Sequence, residues 1–201
     1  MNRLLYAVLI CTGLLFAKNV AANNYRLNEA ASNHLISYAL DGSSNSTHYQ
    51  KPVVLNITNN TNGIIKIEIP AGSLLLANDS SLQNLITVTN ELMAIGPYMK
   101  KCLPLSAMCV QQHDAAPSDG KKYIPVEMAS GPLLALAQLI AEKKYNDFAA
   151  QQALWCLTDN APIADISGWN AAEVSDLQKF VSKVTGKPMP PPPAIDDADR
   201  K

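Results

Sequence analysis

Gly131 to Asn160 reads GPLLALAQLIAEKKYNDFAAQQALWCLTDN, and its periodicity decides what the rest of the chain packs against. Two helices are expected here. Ser130 is placed to N-cap the first, and Pro132 falls in its first turn, where a missing N–H costs nothing. Leu133, Leu136, Ala137 and Ile140 recur at helical spacing and make one apolar face. Asn146 or Asp147 caps the second helix. Its expected buried side is Phe148, Leu154, Trp155 and Leu157, with Trp155 as core anchor. Gln151 and Gln152 each reach one turn ahead, toward Trp155 and Cys156.

Upstream the pattern changes from helical to strand-like. His34–Leu40, Pro52–Thr58 and Ile64–Ile69 are β-branched or apolar, and NNTNG (59–63) between the last two predicts a hairpin. Ser73–Ala77, Leu85–Thr89, Glu91–Tyr98, Leu103–Val110 and Tyr123–Met128 are further strand candidates. A polar loop, Gln111–Lys122, separates the last two. Short strands divided by turns predict a sandwich or partial barrel. Downstream, Asn170 and Glu173 form a capping-box pattern before the stripe Val174, Leu177, Val181 and Val184, and Gly186 is a natural C-cap. Trp169 is expected to staple against that helix.

The expected fold is therefore α+β. An N-terminal antiparallel β-sandwich-like part (23–128) carries a helical part (129–186) packed on it, followed by a Pro-rich disordered tail (187–201).

The chain opens with a basic Arg3, an apolar run Leu4–Ala17 and Val20-Ala21-Ala22. That is the pattern of a signal peptide over 1–22, cleaved after Ala22, and it predicts a secreted, periplasmic or cell-surface protein. No later stretch is apolar enough for a transmembrane segment, and there is no basic patch with interleaved aromatics for nucleic acid. Asn, Ser, Thr and Gln are plentiful, which suits an uncharged polar surface. Asn45, Asn56, Asn59 and Asn78 head N-x-S/T sequons. After Cys11 leaves with the leader, Cys102, Cys109 and Cys156 remain, so a disulfide is expected with one thiol over.

The sequence has no G-x-S-x-G, no H-E-x-x-H and no phosphate-binding glycine loop. Cys109 with His113 and Met128, and His34 or His48 upstream, offers a cupredoxin-like copper reading. Cys109, His113, Gln151, Gln152 and Trp155 are the candidate site residues.

Ala150-Gln151-Gln152-Ala153-Leu154-Trp155 resembles the Thr-Gln-x-Ala-aliphatic-Trp helix motif of thioester domains in bacterial surface adhesins. The resemblance covers about a dozen residues. It implies β-structure with a helical part and an upstream cysteine, here Cys109, bonded to a glutamine side chain. Ala150 stands where the family has threonine. The family's bonding glutamine follows in an apolar strand, whereas Gln178 falls in a helical segment, leaving Gln151 or Gln152 as candidates. The expected function is a non-enzymatic exported binding or adhesion module for an extracellular or cell-surface ligand, needing no cofactor. A covalent thioester adhesin using Cys109 and the copper protein are the alternatives.

Overall fold

The computed structural model describes residues 24–44 and 46–191. The expected leader with its expected cleavage site, Asn45 and the end of the Pro-rich tail lie outside them. In chain order the strands are β1 (Asn24–Arg26), β2 (Ile36–Gly42), β3 (Val53–Asn59), β4 (Ile65–Ile69), β5 (Ser73–Ala77), β6 (Leu85–Thr87), β7 (Glu91–Ile95), β8 (Lys100–Leu105), β9 (Ala107–Cys109) and β10 (Lys122–Met128). The helices are α1 (Leu27–Ser32), α2 (Gly131–Lys143), α3 (Phe148–Thr158) and α4 (Ala171–Thr185). This is an α+β fold with its larger helices C-terminal. Its strands do not form two facing sheets of a sandwich.

Seven strands make one antiparallel sheet in the order β8-β3-β2-β10-β5-β6-β9. Its two end strands are separated in the chain by Ser106 alone. The sheet must therefore curl until its ends meet, and it forms a half-barrel. Two backbone bonds help close it. Ala107 N–H donates to Gln50 C=O (3.1 Å) and Cys109 N–H to His48 C=O (2.9 Å). The segment leading into β3 thus continues the ladder along β9.

The remaining strands form a small sheet, β1-β4-β7. β1 runs parallel to β4, so the antiparallel expectation holds only for the other pairs. β3 and β4 belong to different sheets and are not the expected hairpin. The reason is Asn59, which is fully buried. Its Nδ2 donates to the carbonyls of Gly63 (2.7 Å), Ile95 (3.1 Å) and Gly96 (2.9 Å). Its Oδ1 accepts from Thr61 N–H and Oγ1, both at 2.8 Å. A fully satisfied buried amide turns the chain out of one sheet and into the other. Near the start, α1 closes on His34, whose φ of 57° is left-handed, so β2 begins at Ile36 rather than His34.

Ser130 stands at the N-cap of α2 without a side-chain bond, and Pro132 lies in its first turn. Asp147 caps α3 by accepting from Ala149 N–H (2.9 Å) and Ala150 N–H (3.3 Å). Asn170 caps α4, and Gly186 ends it at φ 71°. One cluster of buried side chains runs from Leu40, Leu55 and Leu85 in the half-barrel to Leu136, Leu154 and Leu177 in the three large helices.

Candidate functional site

Helix α3 is buried on nearly every side, and it docks against β9. Its expected face needs correction. Phe148 is exposed, Leu157 is half-buried, and the buried residues are Ala149, Ala150, Gln151, Ala153, Leu154, Trp155 and Cys156. Three alanines let the helix backbone approach the strand closely.

Gln151 uses that approach. It is fully buried and reaches Cys109 rather than Trp155. Its Nε2 donates to Cys109 C=O (2.8 Å), and its Oε1 accepts from Cys109 N–H (2.9 Å). A primary amide carries the same donor and acceptor as a peptide group. Gln151 therefore occupies part of the β9 edge as a neighbouring strand would. Cys109 N–H is shared with His48 C=O. Gln152 does not reach Cys156: its Oε1 accepts from Ser167 N–H (2.9 Å).

All three described cysteines are free, so the expected disulfide does not form among them. Cys102 is exposed on β8, while Cys109 and Cys156 are buried. Burial pushes the Cys109 thiol well above the ordinary range and the Cys156 thiol up to about 11. Both are thiols rather than thiolates at neutral pH, hence weak nucleophiles.

His48 completes the cluster from the other side. Its ring meets Trp155 edge-on, with centroids 5.4 Å apart. Its Nδ1 lies 3.0 Å from Gln83 Nε2. Gln83 is fully buried; its Nε2 also donates to Asp114 C=O and its Oε1 accepts from Gln111 N–H. Those bonds fix Gln83 Nε2 as the donor, so His48 Nδ1 is the acceptor and His48 is the neutral Nε2–H tautomer. Desolvation lowers its pKa, in agreement. Trp155 is buried, and its indole N–H has no hydrogen-bond partner among the described residues.

A cleft of about 310 Å³ opens beside this cluster. Gln112, Phe148, Gln152, Trp155, Asp165 and Ser167 line it. Phe148 leans on Tyr49, with ring centroids 6.4 Å apart. A second, more apolar groove of about 780 Å³ follows Ile166, Val174, Met189 and Pro190 along the loop between α3 and α4, whose Ala164 and Ser167 line both cavities. Trp169 is fully exposed on that loop and does not staple α4. Glu173 is buried instead of closing a capping box. Burial and the Asp147 carboxyl beside it push its pKa up to about 7.

The structure brings Cys109, Gln151 and Trp155 into one neighbourhood with Gln152, but leaves the copper set dispersed. His113 is exposed on the loop after β9. Met128 lies on β10, separated from β9 in the sheet by β5 and β6, and its Sδ accepts from Ser73 Oγ (3.4 Å). Among the described residues no three His, Cys, Asp or Glu side chains gather as a metal site. No described helix is long and apolar enough to cross a membrane. Nothing in local spacing joins His48 to Trp155, or Gln83 to His48, so neither contact has a sequence signal. Comparison with models of known families, with curated proteins and with solved structures finds no match.

Proposed function

We propose that this chain is an exported, non-enzymatic binding or adhesion module whose ligand sits in the cleft beside α3. One observation carries the reading: the cleft joins an exposed aromatic ring, Phe148, to uncharged amides, Gln112 and Gln152, and one carboxylate, Asp165. Gln152 Oε1 is committed to Ser167, which leaves its Nε2 free to donate. Amides beside an aromatic face suit a ligand with hydroxyls on its rim and C–H groups on its flat side. A saccharide has that chemistry, and cell surfaces display it. The leader supports export. Retention of the purified protein on a glycan array, lost in Gln152→Ala and Asp165→Ala, tests the reading; retention unchanged by both variants would sink it.

A second reading is a covalent adhesin in which Cys109 Sγ displaces ammonia from the Gln151 carboxamide to form a thioester. Its support is that the Gln151 carboxamide lies on the backbone of Cys109, the residue that would carry the attacking thiol. It requires Gln151 to surrender its donor bond to Cys109 C=O. An intact mass one ammonia short, restored in Cys109→Ala, is its signature.

A further inference from the structure

Far from the cleft, two neighbouring loops form a rigid tip, 59–64 and 95–99. Both are tied to the buried Asn59 amide, and Tyr98 N–H donates to Thr61 C=O (3.2 Å) across them. Such a buried polar anchor usually leaves loops little freedom. What it presents is apolar: Ile64, Tyr98 and Met99 are 54%, 68% and 56% exposed. Tyr98 is held at φ 55°, a conformation that aromatic residues seldom adopt. Lys100 and Lys101 follow directly. Successive strand residues point to opposite faces, so the two exposed lysine side chains leave β8 on opposite faces beside the tip. Neither lysine joins an ion pair among the described residues, and neither 59–64 nor 95–101 contains an acid.

We propose that this tip docks on an anionic membrane surface, with Ile64, Tyr98 and Met99 entering the headgroup layer and Lys100 and Lys101 meeting lipid phosphates. Tyrosine, aliphatic side chains and flanking lysines are the composition of an interfacial anchor. The unpaired lysines call for negative charge. The exposed side chains stand on loop crests, a shape for insertion between headgroups rather than for receiving a partner's side chains. The inference is independent of the cleft.

Co-sedimentation with phosphatidylcholine vesicles, with and without phosphatidylglycerol, tests it on the protein as its host processes it. Wild type should sediment with the anionic vesicles only, less so at high salt. Lys100→Ser and Lys101→Ser should each weaken binding about fivefold. The double variant Tyr98→Asn with Met99→Gln should weaken it roughly tenfold or more. Asn is at ease at positive φ, so that loss is not a folding defect. Wild type that ignores anionic vesicles, or variants that sediment like wild type, would overturn the proposal. Retention on heparin without vesicle binding would assign the lysines to an acidic macromolecule and overturn it equally.

Discussion

The Gln151 carboxamide is hydrogen bonded in both directions to the backbone of Cys109, at 2.8 and 2.9 Å, and so joins helix α3 to the half-barrel. Replacing it with alanine leaves the Cys109 carbonyl buried without a partner, while the N–H keeps His48 C=O. Gln151→Ala should destabilise the protein by about 1–3 kcal/mol in urea unfolding. Gln151→Glu should do worse at neutral pH, because a carboxylate cannot donate to that carbonyl. Wild-type stability in both variants would show that the bond is incidental.

Trp155 should behave as a core residue although it borders the cleft. Trp155→Ala removes a buried ring and its edge contact with His48, and should cost about 3–5 kcal/mol. A melting temperature equal to wild type would contradict its burial.

The three described thiols should separate by accessibility. In the native state a maleimide should label only Cys102 among them, with Cys109 and Cys156 reacting only after denaturation. Native labelling of Cys109 would contradict its place in the core.

How far the fold was legible depended on whether its signals were local. The caps at Asn170 and Gly186 are short-range devices that the sequence locates, and it narrows the cap of α3 to Asn146 or Asp147, of which the structure uses Asp147. Ser73–Ala77 could be read as a strand from its own residues. The Asn59 turn could not be read correctly, because NNTNG looks like a hairpin until Ile95 and Gly96 supply distant carbonyls. Phe148 falls on the expected buried face of α3 yet is exposed. A helix surrounded by strand and helix has no single apolar stripe, so periodicity cannot choose its exposed side. Composition suggests that Gln and Asn belong to the surface, yet Gln83, Gln151 and Asn59 are fully buried and substitute for backbone partners. Cys109 and Gln151 were singled out together through the helix motif. What joins them, an amide laid on a strand edge, depends on sheet closure and has no sequence signal.

Stability should carry a pH signature from Glu173. Its pKa is raised in the folded protein from 4.5 to about 7 by burial and by Asp147. The raised pKa means that the unfolded chain ionises first. The stability it contributes is complete below about 4.5 and is lost as pH rises toward about 7. Glu173→Gln removes this titration. Its melting temperature relative to wild type should therefore climb between those two pH values and then level off. A difference that is flat with pH would place Glu173 in water.

The cleft's role is tested most directly by calorimetric titration with the oligosaccharide best retained on the array, comparing wild type with Phe148→Ala. Phe148 is exposed, so its truncation should leave the melting temperature within a degree or two while raising Kd roughly tenfold or more. An unchanged Kd in a folded variant would contradict a binding site beside α3.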